Sequence, residues 1–303
     1  MSWPDFFIIG APKCGTTSLA AWLREHPGIY MPRFKEPHFF NSDHNFINTP
    51  SWDHYRSLFR DADPGLHRAV GEASVWYLYS ERAVPEILRH FPEARLIALV
   101  RNPVEMAYAL FEQQRFSGME HLRDFEAAWR AQAQRKEGRN VASFCREPKH
   151  LLYAEACSLG CQLERLHAVA RPEQILTLVL DDFRQDPRAQ YLRVLEFLGL
   201  EDDQRREFPV LNSAKSRRLP MLTRMVGRLN RFKNKLGIWN RGLGILAALD
   251  AWNIRYRPRQ RMPEDLRAEL ESFFSEEIDR LQFLLQRDLT HWYSSSPELK
   301  DAG

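Results

Sequence analysis

The 303-residue chain has little cysteine: its four thiols, Cys14, Cys145, Cys157 and Cys161, are too few to frame a secreted disulfide scaffold of this size. It also lacks anything close to the roughly 18 uninterrupted apolar residues of a membrane-spanning helix. Its opening "MSWPDFFIIG" has no basic n-region of the kind that begins a signal peptide. A soluble protein in a reducing, cytoplasmic setting is the expectation. Cys157 and Cys161 share a helix face at a spacing of four, but two thiols are half a zinc site and no Cys or His cluster completes it; they read as core thiols, and no metal is expected. Repeats and low-complexity tracts are absent. Acidic charge is missing from one region only: Lys215 to Arg261 carries thirteen Lys and Arg against the single acid Asp250, although the whole chain is only +3. The remainder is therefore acidic. With no recognised nucleic-acid module beside it, the basic segment does not argue for a nucleic-acid partner.

What is present is ordinary for a globular chain, at 44% hydrophobic and 27% charged, and suffices for a large core. "FFII" (6–9), "LIALV" (96–100) and "ILTLVL" (175–180) are continuous apolar runs of the kind buried parallel strands show. Between them "TTSLAAWLREHP", "AVPEILRHFPEA" and "LLYAEACSLGCQLERLHAVA" have apolar residues at helical spacing. This alternation predicts an α/β fold with a central parallel sheet flanked by helices. Residues 33–57 and 202–220 read as loops, and the chain from Met221 onward as helical, all within a single domain of an α/β core (1–220) and a helical extension (221–303).

A further absence is local. "GAPKCGTT" (10–17) fits the triphosphate-binding pattern G-x-x-x-x-G-K-[ST] at Gly10, Gly15 and Thr17, but Thr16 stands where the lysine belongs. A strand-to-helix turn of this kind points backbone N–H groups and a helix N-terminus at an anion, and Thr16, Thr17 and Ser18 add hydroxyls. The loop thus reads as a phosphate or sulfate cradle, with Lys13 entering from its other side. "RNP" at 101–103 also follows a strand, so both motifs are expected to face one crevice.

The segment "FFIIGAPKCGTTSL" resembles the 5′-phosphosulfate loop of sulfotransferases that use 3′-phosphoadenosine 5′-phosphosulfate (PAPS). "KEPHFF" (35–40), "VGEASVWYLYS" (70–80), "VRNPVEMAY" (100–108) and "FLGL" (197–200) resemble further segments of that family in the same order. The likeness is greatest to bacterial members related to the sulfotransferase domains of heparan sulfate enzymes, and covers residues 5–220. It implies a P-loop-like three-layer fold and metal-free, in-line transfer of a sulfuryl group to a hydroxyl or amine of a small-molecule, saccharide or lipid-like acceptor. By the same resemblance Lys13 stabilises the leaving oxygen, and Lys13, Cys14, Gly15, Thr16, Thr17 and Ser18 hold the donor together with Arg101 at its 3′-phosphate. Glu36 is the first choice of base, with His38, whose ordinary pKa suits the task, as its competitor. Lys35 is a candidate for contacting the sulfuryl group, with plain solvation as the alternative, and Glu72 and Ser74 are candidates for lining the acceptor cleft.

Three departures stand out. Ala109 replaces the serine that relatives present to the 3′-phosphate, Ala73 replaces a lysine of the heparan-type enzymes, and Leu159 and Cys161 replace a tyrosine and a glutamate ahead of Gln162. These departures keep open a degenerate, non-catalytic nucleotide binder. A triphosphate-using kinase is the other alternative, disfavoured by Thr16 and by the lack of a clear magnesium-binding aspartate after a strand. "NSAKSRRLP" (212–220) matches a basic loop that closes over the nucleotide in the family, with Lys215, Arg217 and Arg218 as candidates. The basic stretch 215–261 is open to three readings: a solvated helix face, a site for an anionic acceptor, or a peripheral membrane contact. The sequence does not indicate an oligomeric state.

Overall fold

The continuous apolar runs are strands. In the computed structural model, which describes residues 3–211 and 262–293 and the backbone of 215–217 and 254–256, five strands form one sheet. They are β1 (Phe6–Gly10), β2 (Ile29–Tyr30), β3 (Ala69–Ala73), β4 (Arg95–Val100) and β5 (Ile175–Val179), in the order β2-β3-β1-β4-β5 with every adjacent pair parallel. β1 and β3 are buried along their whole length, which is why neither shows an in-out alternation. β1 lies at the centre, and the chain builds outward from it to either side. The carboxyl ends of β1, β3 and β4 thus form the switch point where ligands of open α/β sheets bind.

The helices are α1 (Thr16–Arg24), α2 (Trp52–Ser57), α3 (Ala83–His90), α4 (Pro103–Ser117), α5 (Phe125–Arg130), α6 (Gln132–Lys136), α7 (Tyr153–Ala156), α8 (Leu159–Val169), α9 (Leu180–Gln185), α10 (Pro187–Leu198), α11 (Glu264–Phe273) and α12 (Ser275–Leu285). Contacts gather into two compact units, one of residues 1–107, 154–211 and 264–303, the other of 108–153 and 212–263. The first holds the sheet. In the second, Glu120 and Arg135 form a fully buried ion pair of 2.8 Å, and the Tyr153 hydroxyl donates to the same carboxylate at 2.8 Å. The second also contains the antiparallel pair β6 (Lys215–Arg217) and β7 (Ile254–Tyr256).

The structure differs from the sequence expectations in five places. The stretch expected as a loop over 202–220 contains strand β6 at Lys215–Arg217. β2, only two residues long, has no periodicity to betray it. The stretch expected as a loop over 33–57 ends in α2, started by Ser51, whose hydroxyl accepts from the His54 N–H. The single helix expected over 151–170 breaks at Cys157 and Ser158 into α7 and α8. In the region expected to be helical throughout, residues 254–256 are strand; the rest of 218–261 lies outside the described residues.

Candidate active site

The anion cradle is built at the end of β1. Gly15 caps α1 with φ of 93°, a left-handed conformation that only glycine adopts without strain, and it offers no side chain to the helix's first N–H groups. Thr16 is buried and Thr17 half-buried beside them. Lys13 has φ of 65°, and its carbonyl accepts from Arg101 Nη1 at 3.0 Å. Arg101, only 5% exposed, follows β4 directly, and its Nη2 lies 3.9 Å from Glu105 Oε2. The Ala11 N–H donates to the Leu99 carbonyl at 2.8 Å. Loop and "RNP" motif therefore share one crevice.

The second half of the site is the loop 35–40, docked on the end of β3. The Glu36 N–H donates to the Ala73 carbonyl at 2.9 Å, and Asn48 Nδ2 donates to the Glu36 carbonyl at 2.8 Å. Phe39 stacks on Tyr55 with ring centres 4.7 Å apart, and the Tyr77 hydroxyl accepts the Phe39 N–H at 2.9 Å. Thus the two phenylalanines of "KEPHFF" fix the loop. The Glu36 carboxylate, 27% exposed, is paired with Lys35 and lies 2.9 Å from His38 Nε2. Partial burial pushes its pKa up, but the His38 hydrogen bond and the Lys35 charge outweigh it and hold the group down at about 2. His38, the competing base, is 1% exposed, and its Nδ1 is buried without a hydrogen-bond partner. Glu36 and His38 have φ of 68° and 47°. Lys13, Glu36 and His38 are thus three of the six non-glycine residues with left-handed backbone among the described residues, the others being Asn140, Gln204 and Gln286, and they are the three that cluster around the crevice.

One residue joins the two halves. The Val75 N–H donates to Glu36 Oε2 at 3.1 Å, while its carbonyl oxygen would lie 2.7 Å from any Cβ added at Gly10. Glycine at position 10 is what lets the Glu36 support press against the cradle.

Several candidates take other roles. Cys14 is fully buried with its Sγ 3.9 Å from Met106 Sδ, and burial pushes its thiol up to about 12; only its backbone faces the loop. The Ser18 hydroxyl accepts the Leu211 N–H at 3.0 Å, so it also anchors the chain after α10. Glu72 and Ser74, expected to line the acceptor cleft, are instead buried beneath the loop. Ser74 Oγ accepts the His38 N–H at 3.1 Å, and Glu72 Oε2 accepts from Tyr55 at 2.9 Å and Tyr77 at 3.3 Å. Burial raises the Glu72 carboxyl to about 7, against the lowering effect of Ser74, Tyr55 and Tyr77.

Cys157 is a core thiol as expected. Cys161 is exposed instead, because α8 turns it toward α12, where Glu277 Oε1 is 3.0 Å away. Ala109 is fully buried in α4. The side chains of Lys215 and Arg217 and the whole of Arg218 lie outside the described residues.

Sequence reasoning missed Tyr55 and Val75, whose roles exist only through tertiary contact, and gave Tyr77 none. It also overlooked two aspartates, Asp181 and Asp182, directly after β5. Both are engaged: Asp181 accepts from Trp292 Nε1 at 2.7 Å, and Asp182 pairs with Arg287 at 2.6 Å. Among the described residues no group of three or more His, Cys, Asp or Glu could hold a metal ion.

A phosphate-type cradle beside a carboxylate, on a five-stranded parallel sheet, defines a group-transfer enzyme. A family profile described as "Sulfotransferase domain" matches residues 3–220, and the chain belongs to that family. The solved structure of a sulfotransferase from Alicyclobacillus acidocaldarius superposes with a TM-score of 0.71 at 26% identity, covering 96% of this chain and 99% of that one. The membrane-associated sulfotransferase kil1 of Dictyostelium discoideum is 32% identical over 113 residues, 36% of this chain and 22% of its own. A bifunctional heparan sulfate N-deacetylase/N-sulfotransferase 1 of Caenorhabditis briggsae is 32% identical over 116 residues, 37% of this chain and 13% of its own. The chain thus spans about a quarter or less of these two curated relatives.

Proposed function

We propose that the protein moves the sulfuryl group of PAPS to a hydroxyl or amine of a saccharide acceptor. The donor, when bound, supplies an activated S–O bond. Gly15, Thr16 and Thr17 would hold its 5′ end and Arg101 its 3′-phosphate; the uncapped start of α1 and the buried guanidinium beside the loop fit these anions. Lys13 stabilises the charge that develops on the leaving oxygen. Glu36 takes the proton that the acceptor atom loses as it bonds to sulfur. At a pKa of about 2 the carboxylate is ionised yet a weak proton acceptor, so withdrawal of Lys35 toward the incoming sulfuryl group is what makes it basic enough to act. His38 orients Glu36 from the buried side.

The observation that carries this reading is the Val75 backbone, whose N–H holds Glu36 and whose carbonyl oxygen presses on the Gly10 end of the cradle. The saccharide class is supported by the heparan sulfate acceptor in the name of one relative. The test is calorimetric titration with 3′-phosphoadenosine 5′-phosphate (PAP) and with magnesium ATP, followed by a PAPS-dependent transfer assay on saccharides. Selective binding of the bisphosphate and label transfer is expected. A preference for ATP would sink the reading in favour of the kinase, and bisphosphate binding without transfer to any acceptor would leave a non-catalytic binder.

A further inference from the structure

The loop that carries Glu36 is held by two phenols, and both lead back to one buried carboxyl. The Tyr77 hydroxyl accepts the N–H groups of Phe39 at 2.9 Å and of Phe40 at 3.4 Å. Tyr55 lies flat on the Phe39 ring, with 16° between the two planes. Both phenols donate to the same oxygen, Glu72 Oε2, Tyr55 at 2.9 Å and Tyr77 at 3.3 Å. A hydroxyl that accepts two N–H groups has to send its own proton elsewhere. Glu72 is the acceptor, and so decides which way the Tyr77 oxygen faces. Burial raises both phenols well above the ordinary 10, so they stay donors at any working pH.

Glu72 sits on β3, 1% exposed, with Phe7 of β1 as its register partner. Its other oxygen, Oε1, is buried without a hydrogen-bond partner. An apolar side chain would fill this place without that cost, so sheet packing alone does not account for a carboxyl here. The titratable groups facing it are Tyr55 from α2, Tyr77 from the turn after β3 and Glu36 from the loop, itself paired with Lys35 and His38. Glu36 repels Glu72 and contributes to its raised pKa. The coupling is reciprocal: an ionised Glu72 raises the proton affinity of Glu36 by the same free energy. That is the change Glu36 needs, because its own partners hold it acidic.

We propose that Glu72 is a positioning residue for sulfuryl transfer: through Tyr55 and Tyr77 it fixes the loop that presents Glu36, and its negative charge makes Glu36 a better base. The inference rests on the catalytic reading of Glu36 above.

Three variants separate the two contributions. Glu72→Gln keeps an oxygen for both phenols and removes the charge. Glu72→Leu removes the acceptor as well, and Tyr77→Phe, which deletes the hydroxyl but keeps the ring, gives the same readout should the leucine variant not fold. Turnover at saturating PAPS and acceptor is followed from about pH 5.5 to 8.5, and amide hydrogen exchange over residues 35–40 by mass spectrometry. Wild-type kcat is expected to rise with pH about a midpoint near 7, as Glu72 ionises. In Glu72→Gln that rise disappears and kcat at the alkaline end falls about tenfold, with KM for PAPS unchanged. A purely structural role would leave the midpoint where it is. Glu72→Leu and Tyr77→Phe are expected to exchange the amides of 38–40 about tenfold faster or more, with the cradle over 13–18 at the wild-type rate. A pH rise that survives unmoved in Glu72→Gln, or loop exchange unchanged in both other variants, overturns the proposal. A wild-type protein that transfers no sulfuryl group counts against the reaction, and the exchange readout still scores the hold of Glu72 on the loop.

Discussion

Glu120 and Glu36 are both carboxylates paired with a basic side chain inside the fold, yet their surroundings have nothing else in common. Around Glu120 every group is spoken for: Arg135 and Tyr153 bond its Oε2, the Leu122 N–H bonds its Oε1, and Arg135 reaches back to the Leu151 carbonyl at 3.1 Å. Around Glu36 the backbone is left-handed, the carboxylate is partly open to solvent, and His38 Nδ1 and Glu72 Oε1 are buried without partners. Saturation at no backbone cost marks a group that holds a structure. Spare polar capacity beside left-handed backbone is what the proposed catalytic role asks of Glu36, since both features cost stability and a reaction is one thing that retains them.

The comparison breaks if the two clusters respond alike to mutation. The largest effect is expected at the site itself: Glu36→Gln and Lys13→Ala should each lower kcat about 10²- to 10⁴-fold with melting temperature little changed, read by PAPS-dependent transfer and thermal unfolding. Retained activity in both would remove the catalytic assignments. Next, Glu120→Ala strands a buried guanidinium and should cost about 3–5 kcal/mol in urea unfolding. A mild loss there would mean that pairing does not carry the cluster.

A third prediction sharpens the contrast through pH. Glu72 titrates at about 7 against an ordinary 4.5, so the folded protein keeps a proton that the unfolded chain releases as pH rises above 4.5. That stabilisation is complete below pH 4.5 and is lost as pH climbs to 7, a change of about 3 kcal/mol. Unfolding of wild type and Glu72→Gln across pH 4 to 8 should show the wild type losing about that much relative to the variant; parallel curves would make Glu72 an ordinary carboxylate. The smallest effect is expected at Arg101. Arg101→Ala should weaken PAP binding about ten- to a hundredfold, the worth of one charge-assisted contact, and unchanged calorimetric affinity would remove the 3′-phosphate assignment.

How far the sequence foretold this depends on how local each feature is. β1 and β4 were legible because a buried strand needs an unbroken apolar run, β5 shows the same run although the first three of its residues are only half-buried at the sheet's edge, and the cradle was legible because glycine spacing is a local constraint. Glu36 came from resemblance and His38 from the ordinary pKa of an imidazole two residues on, and nothing in "KEPHFF" announces that Lys35 and His38 clamp the carboxylate. Glu72 and Ser74 were given to the cleft because polar residues after a strand usually face one. Here Tyr55 and Tyr77, contributed from elsewhere in the chain, draw Glu72 inward instead. β2 escaped notice because two residues carry no period. Asp181 was passed over although it follows a strand, and its partner Trp292 is 111 residues away.

Trp292 has one more hold on the molecule. Its carbonyl accepts from Asn102 Nδ2 at 2.7 Å, across 190 residues of chain, and Asn102 is the residue after Arg101. During synthesis at about 5–20 residues per second, roughly 10–40 s separate these two partners. The cradle of β1 and α1 can form early from neighbouring residues, but the arginine beside it acquires its last support only once that late turn has emerged. Completion of the crevice beside β1 therefore waits for a contact supplied 190 residues later, and until then the chain holds the glycine loop without the Asn102 bond next to its arginine.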